Sequence, residues 1–226
     1  MDKQAVVIDN DTNYTKMGYA GNIDPDFIIP TAILDKKSTL GVSIKNDEYD
    51  YLIGEQAINQ AKISNKHKLI YPMKDGIIES WDLMEKYWHQ SIYGYLKCDP
   101  QEHYFVLTEP PMNHPENREN IAEIFFETFS VPGLYIGVRA VFALLGYSKI
   151  LENEKMDKDQ KAAIDSLTGV VVDSGDSATY IVPICDGFVV ESNIKHIPIS
   201  GRKITKFLEN MIREFLLKIY ILQLWN

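Results

Sequence analysis

Two short stretches of this 226-residue sequence combine residue types able to hold phosphate and a divalent cation. Gly169-Val170-Val171-Val172-Asp173 runs into Ser174-Gly175-Asp176-Ser177 and resumes from Ala178 to Ile184, the pattern of a strand, a polar turn and a return strand. Ala5-Val6-Val7-Ile8-Asp9 followed by Asn10-Asp11-Thr12-Asn13 has the same plan, with Tyr14 to Tyr19 as the return strand. Such turns present backbone N–H groups that cradle an anion. A carboxylate at the strand end, Asp9 or Asp173, can hold a hydrated magnesium ion, which keeps its waters and touches protein through one or two carboxylates. Either stretch by itself also describes an ordinary surface turn. Two copies separated by most of the chain predict duplicated halves facing each other across a cleft, with a nucleotide's phosphates between the turns. Asp9, Asp11 and Asn13 also open like a calcium loop, but that motif requires Gly at its sixth position and Glu at its twelfth. The sequence places Tyr14 and Ala20 there, so no calcium site is predicted.

The elements that must position these turns are legible in outline. Phe27 to Ile33 reads as extended, interrupted by Pro30, and residues 34–71 form a polar stretch with the character of a small inserted subdomain. Its runs Lys36-Lys37-Ser38, Asn46-Asp47-Glu48 and Asn65-Lys66-His67-Lys68 are solvated faces or partner contacts. From Ser80, placed to cap, Trp81, Met84, Trp88, Ile92 and Tyr95 recur at helical spacing and predict a core-facing aromatic stripe. Phe105 to Thr108 is a buried strand ending in Glu109-Pro110-Pro111, and Pro115 opens a helix with Ile121, Ile124, Phe125 and Phe129 on its apolar side. Val138 to Leu145 reads as a helix, apolar except for Arg139. Residues 149–166 are polar and charge-dense, a linker dividing 1–148 from 167–226. Strand character returns from Phe188 to Ile199. A helix then starts at Gly201 with Ile204, Phe207, Leu208, Met211, Ile212 and Phe215 expected inward, and its apolar face continues into Leu216 to Asn226.

Asp9 to Gly21, Leu107-Thr108-Glu109-Pro110-Pro111, Asn117-Arg118-Glu119, Phe126-Glu127-Thr128-Phe129, Asp173-Ser174-Gly175-Asp176 and Ile199-Ser200-Gly201-Arg202 follow one another as landmarks. In order and spacing they resemble the actin family, and the resemblance runs from Ala5 to about Glu214. It implies an α/β, actin-like (ribonuclease H-like) fold of mixed sheets flanked by helices. The first lobe would span 1–148, with a mobile subdomain at about 34–71, and the second, 167–226, would be only begun. The segments that contact adenine in the family would lie beyond Asn226. ATP with magnesium is implied as ligand, with phosphate contacts from Asp11, Thr12, Asn13, Lys16, Ser174, Gly175, Asp176 and Ser177, and water-mediated metal contacts from Asp9 and Asp173.

The departures from the family carry weight of their own. Asp11 and Asn13 stand where the first turn has glycines. Asn tolerates positive φ, but Asp11 brings a carboxylate toward phosphate, at a cost on the order of a few kcal/mol. Ser177 replaces a further glycine, whereas Thr12 and Lys16 match. Arg139 stands where the family has a glutamine that orients the attacking water; a guanidinium cannot accept a hydrogen bond from that water. It pairs with phosphate or with Asp11, or points away from the cleft. No catalytic residue is therefore expected. The resemblance implies a structural, ATP-binding role in nucleating branched actin filaments, with actin and the other subunits of the actin-related protein 2/3 complex as partners in the cytoplasmic cytoskeleton. An actin-like ATPase with weak hydrolysis and a degenerate product without activity are the alternatives.

Composition narrows the remaining classes. A formal net charge of −9 removes broad attraction to nucleic acid, so any phosphate binding has to be local. Cys98 and Cys185 are too few for a disulfide framework or a zinc site and suit a reducing cytosol. His103, His114 and His196 lack metal-ligand spacing. The N-terminus shows no basic region followed by an apolar core, so no signal peptide is expected. Phe207 to Trp225 is broken by Glu209, Arg213, Glu214 and Lys218, whereas a membrane-spanning helix needs about 20 mostly apolar residues.

Overall fold

A computed structural model describes residues 3–35, 51–63, 68–151 and 166–224. The chain divides into two compact units, Met1–Phe142 and Ala143–Asn226.

The first unit is built on a five-stranded mixed sheet. Strands β1 (Val6–Asn10), β2 (Tyr14–Tyr19) and β3 (Phe27–Pro30) form an antiparallel meander, with Asn10 opposite Thr15 and Thr15 opposite Ile29. Strand β4 (Ile33–Asp35) leaves this sheet and pairs with β5 (Tyr51–Ile53) and β6 (Leu69–Ile70). Helix α1 (Gly54–Ile63) follows β5 directly, and the short hairpin of β7 (Met73–Lys74) and β8 (Ile77–Ile78) comes after β6. The charge runs at 36–48 and 65–67 lie outside the described residues.

Helix α2 (Trp81–His89) continues in a wider helical turn over Gln90–Leu96 and stops where Lys97 takes a φ of 53°. Ser80 sits at its N-cap, yet its side chain makes no capping bond; its carbonyl accepts from the Met84 N–H at 2.9 Å. Met84, Tyr87, Trp88 and Ile92 are buried, as their spacing requires. Strand β9 (Phe105–Glu109) enters the main sheet parallel to β1, and β10 (Leu134–Val138) enters parallel to β9. Parallel neighbours need crossovers, and the second of these is α3 (Pro115–Glu123), extended as a wide turn over Ile124–Thr128. The sheet order is therefore β10-β9-β1-β2-β3. Trp88, Phe105, Phe125 and Phe129 interlock edge to face at its core.

Helix α4 (Arg139–Leu151) starts one residue later than its apolar run, because Val138 ends β10. It also carries Lys149, Ile150 and Leu151, which the sequence assigns to a linker; of the rest of that linker, 152–165 lie outside the described residues. In the second unit, β11 (Gly169–Ser174) and β12 (Thr179–Cys185) form the second hairpin, with Ser174 opposite Thr179. Two short strands, β13 (Phe188–Val189) and β14 (Lys195–Ile197), pair with β12 on either side of a 3₁₀ turn at Glu191–Asn193.

The last element, α5 (Gly201–Leu224), corrects an expectation. Ile204, Phe207, Leu208, Met211, Ile212 and Phe215 do not face inward; each is more than half exposed. No element of the described chain covers that side, and α5 is tied down at its first turn. Gly201 N–H donates to the Gly175 carbonyl (3.0 Å), Arg202 N–H donates to the Asp176 carbonyl (3.1 Å), and the Arg202 guanidinium grips the Asp176 carboxylate (2.7 Å).

Candidate functional site

In the first unit the site grows from the carboxyl ends of the three parallel strands, the edge at which α/β sheets bind ligands. Asp9 lies on β1, Thr108 on β9, and Arg139 directly follows β10. The register aligns them: Ile8 pairs with Leu107, and Leu107 pairs with Ile136. Gly137 allows the close return of the chain into α4, since a Cβ there would come within 2.7 Å of the Phe142 ring.

The side chains converge on Asp9. Its Oδ1 accepts a short hydrogen bond from the Thr108 hydroxyl and another from Arg139 Nε at 3.0 Å, while Oδ2 accepts from Lys16 Nζ at 3.2 Å. Arg139 Nη2 donates to the Asn10 carbonyl at 3.0 Å, and Nη1 lies 3.6 Å from Asp11 Oδ1. Burial pushes the Asp9 carboxyl up, but Arg139, the Thr108 bond and Lys16 outweigh it and hold the group below its ordinary value. Of the three placements open to Arg139 in sequence, the pairing with Asp11 is present, and Asp9 is its closer partner.

The turn itself differs from a phosphate cradle. Asp11 N–H donates to the Tyr14 carbonyl (3.1 Å) and Thr12 N–H donates to Asp11 Oδ1 (2.8 Å). The Asp11 carboxylate thus occupies its own turn as an internal anion. Thr12 is buried, and its hydroxyl accepts from Gly76 N–H at 2.7 Å, facing the β7–β8 hairpin. Asn13 is exposed, and neither it nor Asp11 takes a positive φ, so Asn13 does not act as a glycine substitute.

Asn10, Thr15 and Thr31, whose partners the sequence reading passed over, join Trp88 of the predicted stripe in holding this turn in place. Trp88 Nε1 donates to Asn10 Oδ1 (2.8 Å), Asn10 Nδ2 donates to Thr15 Oγ1 (2.8 Å), Thr15 meets Thr31 (3.0 Å), and the Thr31 hydroxyl donates to the Asp11 carbonyl (2.7 Å). Asn10, Thr15 and Thr31 are all buried. Polar residues inside an apolar pattern were the available signal, since buried polar groups must find partners. Beneath Asn10 and Thr108 a cavity of about 30 Å³, lined also by Glu109, Asn113 and Asn117, has room for ordered water. The buried Glu109 is clamped by Arg118, at 2.7 Å to each carboxylate oxygen.

In the second unit the turn is more open. Gly175 N–H closes it on the Ala178 carbonyl (2.9 Å), and among the described residues no backbone carbonyl accepts from the Asp176 or Ser177 amide. The Ser174 hydroxyl pairs with Thr179 (2.9 Å), whose own hydroxyl donates to the Ile199 carbonyl (2.7 Å). Asp173 is half-buried on β11, and the Asp176 carboxylate is held by Arg202.

A family model for actin matches residues 1–222. The chain belongs to the actin family. It is 48% identical over 224 residues to Actin-related protein 3 of Caenorhabditis elegans, covering 93% of this chain and 49% of that protein. It is 49% identical over 215 residues to Actin-related protein 3 of Dictyostelium discoideum (93% and 48%), and 46% identical over 217 residues to that of Drosophila melanogaster (93% and 49%). The chain spans about half the length of the curated relatives it matches. Its mixed sheets flanked by helices are those of an actin-like fold, and nucleotide binding in general goes with the family. The residues present fit the two implied ligands unequally. The second turn offers amides to phosphate, and the first offers Lys16. A hydrated magnesium ion does not fit at Asp9, whose oxygens already accept from Thr108, Arg139 and Lys16. Among the described residues no cluster of His, Cys, Asp or Glu is arranged to hold a metal, and no helix is long and apolar enough to cross a membrane.

Proposed function

We propose that this chain is a nucleotide-binding structural subunit of the actin-related protein 2/3 type rather than an ATPase. On this reading it works in the cytoplasmic cytoskeleton, with actin and the other subunits of the actin-related protein 2/3 complex as partners in nucleating branched filaments. Support comes from near-half identity to proteins named Actin-related protein 3 over 93% of the chain. The observation that carries the choice against turnover is Arg139. Its guanidinium is committed to Asp9, the Asn10 carbonyl and Asp11, and it has no lone pair with which to orient an attacking water.

ATP, when bound, would supply a triphosphate whose oxygens accept hydrogen bonds from turn amides and whose negative charge is offset by lysine. In the second unit the Asp176 and Ser177 amides and Ser174, on the turn that Gly175 closes, would serve phosphate; in the first unit Lys16 would, and the Asp11 carboxylate must turn away before phosphate can approach that turn. Thr12 contributes by fixing that turn to Gly76. By resemblance to the family, Asp173 would contact a magnesium ion through water.

Purification of the tagged full chain from its own cytosol tests this reading. The expected result is recovery of an actin-related partner together with smaller scaffold subunits, with ATP hydrolysis at background. Robust hydrolysis that Asp173→Asn abolishes would favour the ATPase reading instead.

A further inference from the structure

Asp9 is a carboxylate at the mouth of a nucleotide-type site, yet its surroundings are those of an ion pair already made. We propose that Arg139 is the resident cation of the first hairpin, closing Asp9 to divalent metal. The inference rests on reading that hairpin as half of a nucleotide site, and it names which ions the half-site rejects.

Three observations carry it. First, both carboxylate oxygens are in use: Oδ1 accepts from Thr108 and Arg139, and Oδ2 accepts from Lys16. A carboxylate offers about four lone-pair positions, and the groups filling three of them include two cations. Second, Arg139 is anchored at three points. Nε meets Asp9, Nη2 meets the backbone carbonyl of Asn10 at 3.0 Å, and Nη1 faces Asp11. The backbone contact does not depend on either carboxylate, so a metal that captured Asp9 would still find the guanidinium held beside it. Third, the guanidinium stays protonated at every accessible pH, and only about a fifth of its side chain is exposed, 19%. The repulsion between it and a metal on Asp9 is therefore weakly screened. With two carboxylates and two cations, Asp9, Asp11, Lys16 and Arg139 form a charge-balanced cluster that needs no further positive ion.

Manganese(II), which is paramagnetic and binds where magnesium does, serves as the probe and is titrated into the full chain without nucleotide. Electron paramagnetic resonance reads the free ion. Wild type and Asp9→Asn should give superimposable curves, because Asp9 holds no metal in the wild type and its removal therefore takes no site away. Arg139→Gln should gain a class of sites at least about tenfold tighter, some 1.4 kcal/mol, and the double variant Arg139→Gln/Asp9→Asn should lose it. Circular dichroism establishes that each variant folds, and the comparison of wild type with Asp9→Asn needs no Arg139 variant. Manganese uptake by the wild-type chain that Asp9→Asn removes would overturn the proposal, as would a folded Arg139→Gln variant that gains nothing. With no nucleotide present, the result is independent of whether the chain binds ATP.

Discussion

Asp11 is the residue whose side chain decides what the first hairpin can accept. Its carboxylate takes the Thr12 amide at 2.8 Å and lies 3.6 Å from Arg139, so a phosphate approaching the turn would meet a negative charge already seated on that amide. Asp11→Gly removes that charge and frees the amide. Affinity for ATP or inorganic tripolyphosphate, measured by titration calorimetry, should rise about tenfold, roughly 1.4 kcal/mol; an unchanged affinity would mean that phosphate does not visit this turn. Asp9 makes a separate prediction in pH. Burial raises its pKa, but Arg139, Thr108 and Lys16 together bring it below the ordinary value. A carboxyl depressed in the folded state contributes stability that is complete above its unfolded pKa of about 3.9 and is lost as pH falls toward the folded value. Thermal unfolding followed downward from about pH 6 should show a loss below about pH 4 that is shallower in Asp9→Asn. Parallel curves for the two proteins would show that the ion pairs contribute nothing to folding.

At the scale of elements, α2 and the meander are joined by one buried polar line from Trp88 through Asn10, Thr15 and Thr31 to the Asp11 carbonyl. Trp88→Phe keeps an aromatic ring in the core but leaves Asn10 Oδ1 without its donor. A buried acceptor left unsatisfied costs about 1–3 kcal/mol, and denaturant unfolding should register a loss in that range. A change below about 0.5 kcal/mol would mean that water enters and takes the indole's place. The elements also explain what could be read in the sequence. Both hairpins, the aromatic stripe of α2 and the Pro115 helix follow from period-2 and period-3.6 patterns and from proline placement. Strand β10 did not stand out: Leu134-Tyr135-Ile136-Gly137-Val138 is a short apolar run, and such a run does not by itself distinguish strand from helix. That strand delivers Arg139 to Asp9, 130 residues away in sequence. The ion pair depends on a parallel crossover, and residue types alone do not specify one. Asn10, Thr15 and Thr31 escaped notice for a related reason, because a polar residue in a strand, or between two strands as Thr31 is, gives no sign of the partner that will satisfy it.

For the molecule as a whole, the balance between charge and exposed apolar surface governs behaviour in solution. A net charge of −9 opposes association, but at physiological salt that repulsion is screened beyond about 8 Å. Contact between apolar side chains acts at shorter range, and fully burying one Leu, Ile or Phe contributes about 1.5–3 kcal/mol. On α5, Ile204, Phe207, Leu208, Met211, Ile212, Phe215 and Leu216 are all between 51% and 65% exposed. Covering even two or three of them outweighs the screened repulsion, so the purified chain should associate in a concentration-dependent manner. Leu208 and Phe215 lie two helical turns apart on this face, and glutamate is a good helix former, so Leu208→Glu with Phe215→Glu removes apolar surface while leaving the helix able to form. Sedimentation velocity should show the double variant shifted toward a single slow species, with a higher saturating concentration and with the thermal unfolding of the first unit unchanged. A wild-type chain that already sediments as one stable monomer, indistinguishable from the variant across concentrations, would defeat the prediction. It would also mean that the exposed face of α5 is tolerated as it stands.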